Sequence, residues 1–428
     1  MTTLIRRAAL ATAALTLASA AAAQLLPPLP PVGPVVRDVE RIGAGATDGV
    51  VGEVERAARS AQRLARARLD RLDDFVRAHT DLLEMTALGP AVRGEIVAVD
   101  PDPATLAAAQ GAGFTIVAEE RIEGLDMMSV TLRPPARLSL DKSLAHLRRI
   151  APEGEFAPNH LHFRSGGTGP AASAAALASA AQVSRGAVVA IIDGGVAAHP
   201  ALPGSAEQRG FARGAPAASV HGTAVASLAV GSGAVGGAAP RAHLLVADVY
   251  GRDPAGGSAV AIVRALGWLT ARGAPVVAMS LVGPPNPLVG KAVAQARARG
   301  VHIVAAVGND GPSAPPPYPA SYPGVIAVTG VDGRSRALPE AGRALHLDYA
   351  APAADMAAAA PGGRLVRVRG TSYAVPLVAG RLALAVARRA PPLRALDAEA
   401  EDLGPRGPDN IYGRGLVCGA CRTPLPKK

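Results

Sequence analysis

The sequence predicts an α/β protein: a three-layer α/β domain on a parallel sheet over about residues 182–425, preceded by a small α+β unit of order βαββαβ over 91–164. Three observations predict it. Apolar runs rich in Val, Ile and Ala alternate with helical stretches through the second half, the pattern of strands buried on both faces. A shorter stretch upstream alternates strand and helix at closer spacing. Between the two, residues 165–181 are Gly, Ala and Ser with few large side chains, a linker composition.

Taken in order, Arg6-Arg7 precede an apolar stretch from Ala8 to about Ala18, and Ala21-Ala22-Ala23-Gln24 fits a small-residue cleavage site. Residues 1–23 therefore read as a secretory signal peptide, with a twin-arginine route also open. That run is too short and Ala-rich for a membrane span, and no later stretch of about twenty uncharged apolar residues follows. The mature chain is expected to be secreted or periplasmic, with no integral span. Residues 24–49 form a Pro-rich linker, extended over Leu26–Pro34. Over 50–90, Val54, Ala57, Ala61, Leu64, Leu69, Leu72 and Val76 recur at helical spacing among charges, which predicts one or two amphipathic helices. They could dock on the body, pair with another chain or lie on a membrane surface.

In the small unit, Glu95–Val99, Phe114–Ala118, Asp126–Leu132 and Ala157–Phe163 read as strands. Pro103–Gln110, capped by Asp102, and Ser139–Ile150 read as helices. In the large domain the strands are Gly186–Asp193, His243–Val249, Val276–Ser280, His302–Val307 and Val325–Val328. Helices are expected over His221–Ala229, Gly257–Ala271 and Leu288–Arg299.

Composition narrows the function. The chain has 428 residues, 49% hydrophobic and 18% charged, so disorder throughout is excluded. Aromatics are only 3%, too few for a base-stacking platform. The net charge of +10 is almost wholly arginine, since Lys142, Lys291, Lys427 and Lys428 are the only lysines. The arginines are interleaved with acids, as over Glu53–Asp74, so nucleic acid is not an expected partner. Cys418 and Cys421 allow a local bridge in an oxidising compartment; a zinc or redox role lacks a second pair or a supporting context.

Three segments in the large domain carry chemistry. Ile191-Ile192-Asp193-Gly194-Gly195-Val196 ends a strand with a carboxylate. His221-Gly222-Thr223-Ala224-Val225-Ala226 opens a helix with an imidazole, and Gly370-Thr371-Ser372-Tyr373-Ala374-Val375-Pro376 opens another with a hydroxyl. Singly, each is an ordinary turn or cap sequence. Together they supply what nucleophilic catalysis needs: a hydroxyl, a base to take its proton, and an acid to hold that base's tautomer.

In the order Asp193, His221, Ser372, these segments resemble the subtilase family of serine peptidases. The family usually has Ser or Thr where this chain has Gly194. The resemblance extends to Ala305-Ala306-Val307-Gly308-Asn309-Asp310-Gly311, whose Asn309 corresponds to the amide that stabilises the tetrahedral oxyanion. It also takes in Tyr318-Pro319-Ala320, Val325–Val328 and Asp348–Pro352. It implies a subtilisin-like serine endopeptidase acting on proteins or peptides through an acyl-enzyme, with the Ser372 N–H as second oxyanion donor. It also implies that the unit over 91–164 is a prodomain-like inhibitor and folding aid. No cofactor is expected; the family often binds calcium, but no ligand loop is matched here residue by residue.

The resemblance further implies that Leu281, Val282, Gly283, Ala306 and Gly308 wall the primary specificity pocket. Val282 stands where the family commonly has glycine, which predicts a preference for small or medium apolar residues before the cut. Two other readings stand beside the leading one. The first is a catalytically silent subtilase-fold binding or scaffolding module of the envelope. The second is a peptidase that keeps its N-terminal unit and acts on one dedicated partner.

Overall fold

The computed structural model describes residues 48–172, 184, 186–204 and 206–425. The signal peptide, nearly all of the Pro-rich linker and residues 173–181 of the Gly/Ala/Ser stretch lie outside the described residues.

The described chain opens with a helix, Asp48–Ala78, followed by strands β1 (Leu83–Thr86) and β2 (Gly89–Val99), a helix Pro103–Gly111, β3 (Thr115–Arg121), β4 (Met128–Arg133), a helix Leu140–Ile150 and β5 (Glu155–His160). Strand β2 pairs antiparallel with β1, β4 and β5, and β3 pairs with β4. The expected βαββαβ order is present, with β1 added. That strand falls inside the stretch read as helical to residue 90, because four residues are too few to break a helical periodicity in sequence. Both helices of the unit start on side-chain caps: Asp102 accepts from the Thr105 N–H at 2.7 Å, and Ser139 from the Lys142 N–H at 3.4 Å. One sheet face, with Ile96, Ala98, Val130, Leu132 and Phe156, packs under Leu140 and Leu147.

Next come β6 (Phe163–Arg164), β7 (Gly167–Ala172), β8 (Val188–Asp193), β9 (Glu207–Gly210), a helix Val220–Val230, β10 (His243–Asp248), a helix Ala259–Ala271, β11 (Val276–Met279) and β12 (Leu281–Val282). A helix Pro287–Ala298, β13 (His302–Ala306), β14 (Ile326–Val331), β15 (Tyr349–Pro352), β16 (Met356–Ala360), β17 (Arg364–Arg369) and helices Val375–Ala387 and Pro392–Glu399 complete the order. Seven strands form one sheet, β15-β14-β13-β11-β8-β10-β9, and every pairing in it is parallel.

The central strands of this sheet are apolar on both faces, β9 at the edge being the polar exception, and the two faces feed different cores. Val189 and Ile191 of β8 join Val246, Ala278, Val304 and Val328 on the side of helices Val220–Val230 and Val375–Ala387. Ala190 and Ile192 join Ala247, Val277, Met279 and Ile303 against helices Ala259–Ala271 and Pro287–Ala298. This is the three-layer α/β arrangement expected, and it explains why the strands read as continuous apolar runs. The helix Val220–Val230 is buried from His221 to Val230, and its Ala, Gly and Ser let it lie close to its neighbours.

The other face of the N-terminal sheet, with Val97, Val99 and Ala157, packs on that second core together with Ile122 and Leu125. The turn at Gly124 rests on helix Ala259–Ala271; φ there is +71°, and an added Cβ would stand 2.7 Å from the Ala271 nitrogen, so only glycine fits.

Two segments differ from expectation, and both matter for the site. The last strand of the small unit stops at His160, and Phe163–Arg164 pairs instead with Leu281–Val282 of the large domain. Gly167–Ala172, read as linker, is a strand against β17. Its Gly and Ala carry no hydrophobic alternation; the backbone bonds come from a partner almost two hundred residues away.

Candidate active site

The parallel sheet changes direction at β8, which has β10 on one side and β11 on the other. Carboxyl ends of strands at such a reversal form an open crevice. Asp193 is the last residue of β8, fully buried, and its Oδ1 accepts from the Gly194 N–H at 2.6 Å. The helix Val220–Val230 is started by Ser219, whose Oγ accepts from the Gly222 N–H at 2.9 Å, and this sets His221 in its first turn. His221 Nδ1 lies 2.8 and 3.0 Å from the two Asp193 oxygens, and Nε2 lies 3.0 Å from Ser372 Oγ. Ser372 sits in a single helical turn, Thr371–Tyr373, directly ahead of helix Val375–Ala387. The three residues singled out from sequence are thus in one hydrogen-bonded line. A donor to Asp193 at Nδ1 leaves Nε2 as the acceptor for the serine proton.

Asn309 follows β13. Its Oδ1 accepts from the Thr371 N–H at 2.9 Å, which turns its NH₂ group toward the Ser372 turn, where it donates to Ser165 Oγ at 2.8 Å. Thr371 Oγ1 donates to the Gly308 carbonyl at 3.2 Å, tying the two loops together.

The cleft over these residues is filled by the chain's own segment 161–166. Phe163 and Arg164 pair antiparallel with Val282 and Leu281, the Ser165 N–H donates to the Ser280 carbonyl at 3.1 Å, and the His162 N–H donates to the Gly257 carbonyl at 2.8 Å. The Ser372 N–H donates to the Ser165 carbonyl at 2.9 Å. Gly166 lies so near the triad that an added Cβ would run into Ser372 Oγ and stand 3.4 Å from His221 Nε2. Ser165 and Gly166 were not singled out in the sequence, because Ser and Gly at the head of a Gly/Ala/Ser run carry no signal of their own.

The residues named for a specificity pocket separate. Leu281 and Val282 form the edge strand that the segment pairs with. Val282 Cγ1 reaches to 3.6 Å from where a Cβ on Gly308 would stand, so these two face each other. Ala306 is fully buried in the core. Gly283 lies against the ring of His162, three residues before Ser165, rather than against Ser165 itself.

That His162 ring is fully buried, and neither nitrogen has a hydrogen-bond partner among the described residues. Burial, with His160 nearby, pushes it down to about 3, and burial pushes His160 down to about 4. Beside the site, the helix Asp48–Ala78 places Arg68 Nε 3.1 Å and Arg71 Nη2 2.7 Å from the carboxylate of Asp310, next to Asn309. Its Phe75 ring stands edge-on to Phe163, centroids 5.5 Å apart. The segment read at helical spacing therefore reaches the mouth of the cleft.

Among the described residues no group of three or more His, Cys, Asp or Glu is placed to hold a metal ion. No described helix is long and apolar enough to cross a membrane. Cys418 and Cys421 form a disulfide.

Comparison with known proteins agrees with this geometry. The sequence profile of the subtilase family matches residues 184–415. Subtilisin BL of Lederbergia lenta is 35% identical over 247 residues, covering 54% of this chain and 88% of its own. The alkaline protease of Alkalihalobacillus alcalophilus is 32% identical over 312 residues, covering 69% and 78%. Fervidolysin from Fervidobacterium pennivorans, a keratinolytic enzyme related to subtilisin, superposes with a TM-score of 0.64 at 20% identity. That match covers 79% of this chain and 62% of fervidolysin, and it bears on the fold. With its parallel-sheet body, its profile match over more than half the chain and relatives that are serine proteases, the chain belongs to the subtilase family of serine endopeptidases.

Proposed function

We propose that this chain is the precursor of an exported serine endopeptidase whose N-terminal unit inhibits it and assists its folding until the enzyme cuts it away. The observation that carries this reading is the 2.9 Å hydrogen bond from the Ser372 N–H to the Ser165 carbonyl, made by a strand already paired along the cleft. A carbonyl held by that donor, with Ser372 Oγ beside it, is placed as a substrate carbonyl would be.

In the reaction, Ser372 Oγ attacks the Ser165 carbonyl carbon as its proton passes to His221 Nε2, while Asp193 holds Nδ1–H and offsets the charge on the ring. Charge developing on the carbonyl oxygen is met by the Ser372 N–H and the Asn309 NH₂. Collapse breaks the bond to the Gly166 nitrogen, which takes the proton from His221. Water then gives its proton to His221 and its hydroxyl to the acyl carbon, and Ser372 recovers its hydrogen. Protein and peptide substrates follow the same steps once the cleft is free.

Export is supported by the signal-like residues 1–23 and by the Cys418–Cys421 disulfide, which belongs to an oxidising compartment. N-terminal sequencing of the purified protein tests the whole reading. Wild type is expected to yield a large fragment beginning at Gly166 or trimmed from it, whereas Ser372→Ala keeps residues up to 165 attached. The same variant is expected to lose roughly 10⁶-fold in turnover, the figure known for the nucleophile of a related subtilisin triad. Mature-size protein from Ser372→Ala in a protease-free host would refute self-cutting.

A further inference from the structure

The side chain ahead of Ser165 is gripped by more than its backbone. Arg164 Cζ stands 4.1 Å above the centre of the Tyr250 ring, and its Nε lies 3.7 Å from Asp193 Oδ1. The Tyr250 ring is a fixed platform. Its hydroxyl donates to the His162 carbonyl at 3.0 Å, and its N–H donates to the fully buried Asp248 at 2.9 Å. Burial, reinforced by the Asp193 charge, pushes that hydroxyl up, so it stays a neutral donor.

The third wall is an absence of side chain. A Cβ on Gly194 would come within 2.6 Å of Arg164 Nη2 and 2.5 Å of Ser219 Oγ. Gly194 is the position where this sequence departs from the Ser or Thr of the family pattern. In this structure the departure leaves the space that the guanidinium uses. With about a third of its side chain exposed, Arg164 keeps water along one side and avoids the cost of full burial.

We propose that Gly194, Tyr250 and Asp193 form an arginine subsite that reads the side chain one residue ahead of the residue whose carbonyl sits at Ser372. The substrate class is peptides with arginine at that place followed by a small residue, and the enzyme's own His162-Phe163-Arg164-Ser165 is its first occupant. The subsite rests on the precursor reading, since it takes the bound segment to lie as a substrate lies. A flat guanidinium stacks on the ring and reaches the carboxylate at once; the compact ammonium of lysine makes the stacking contact less well. A cation–π contact of this kind is worth about 5- to 30-fold in selectivity.

The test uses mature enzyme and quenched fluorescent peptides copying residues 161–167, with arginine, lysine or alanine at the Arg164 place. The ratio of kcat/KM for arginine over alanine is expected at about 5 to 30 in wild type, with lysine between. In Gly194→Ser and in Tyr250→Leu the ratio should fall toward one. Casein digestion is run beside it, with Ser372→Ala as control. Ser372-dependent casein digestion with a wild-type ratio near one, or an undiminished ratio in both variants, overturns the subsite and leaves the peptidase reading standing. No Ser372-dependent digestion at all overturns both. A companion variant leaves the large domain untouched: Arg164→Ala in the precursor should slow self-cutting by the same factor, and an unchanged rate counts against the subsite.

Discussion

Acid is expected to loosen the segment in the cleft, and the effect can be worked from one side chain. His162 is neutral where it sits, with a pKa near 3 against 6.5 for a freed ring, and burial is the main cause. Burial also pushes the nearby His160 down to about 4, so it too is neutral at pH 5. Below pH 6.5 a freed His162 takes up a proton that the docked ring refuses, so docking weakens as pH falls from 6.5 toward 3 and is flat above that window. At pH 5 the difference is about 1.5 decades, or roughly 30-fold and about 2 kcal/mol. His160 adds little to a local opening, because it belongs to β5 and is held within 3.3 Å by Thr86 Oγ1 and Asn286 Nδ2.

The measurement is amide exchange of residues 161–166 in full-length Ser372→Ala, which cannot cut itself, at pH 7.5 and pH 5 after correction for intrinsic exchange. Protection of the His162 and Ser165 amides, whose acceptors are the Gly257 and Ser280 carbonyls, should fall by about 30-fold. In His162→Leu, which fills the same site without a titrating nitrogen, most of that fall should disappear. Protection that does not change with pH, or that falls equally in the leucine variant, would show that His162 is not the group responsible.

Two further outcomes test the cleft. Asn309→Ala should lower turnover by about 10²–10³-fold with a smaller effect on KM, because its NH₂ group acts on charge that develops only in the transition state; a loss confined to KM would speak against an oxyanion role. Val282→Gly should raise activity on peptides with Phe or Tyr before the cut, by about 10-fold or more per methylene-scale change, since the valine methyl closes the gap to Gly308. A library profile identical to wild type would show that Val282 does not wall that space.

The body of the fold was legible because its central strands are apolar on both faces and alternate with helical stretches, whereas the caps at Ser219 and Ser258 are seen in the structure. The candidate triad could be picked out because three motifs fall in order, and the structure places His221 2.8 Å from Asp193 and 3.0 Å from Ser372. What the sequence could not show is pairing between distant segments. Gly167–Ala172 becomes a strand only through β17, and Phe163–Arg164 leaves the small unit only because β12 offers an edge. Gly194 was visible as a departure, yet that Arg164 Nη2 and Ser219 Oγ occupy the space a Cβ would need is seen only in the structure. Tyr250 gave no sign at all: one aromatic after a strand looks like core until an arginine is seen stacked on it.

If Ser372 cuts the segment in its cleft as proposed, the contacts that hold the N-terminal unit make cutting and release separate steps. None of them runs through the Ser165–Gly166 bond. Its sheet keeps Val97, Val99 and Ala157 against the second core, Phe163 stays paired with Val282, and Arg68 and Arg71 keep Asp310. On the far side of the bond, β7 stays with β17. On the proposed precursor reading, breaking that one peptide bond leaves the new Ser165 carboxylate where the carbonyl was, facing the Ser372 N–H, with the cleft still filled. On that reading the first cut is intramolecular, so its rate is expected to be set by geometry at Ser372 and not by concentration. Release is an equilibrium, set by how much of the interface is undone. The pair of the exposed Arg71 with Asp310 contributes little and is weakened by salt, whereas the burial of His162 is weakened by protons.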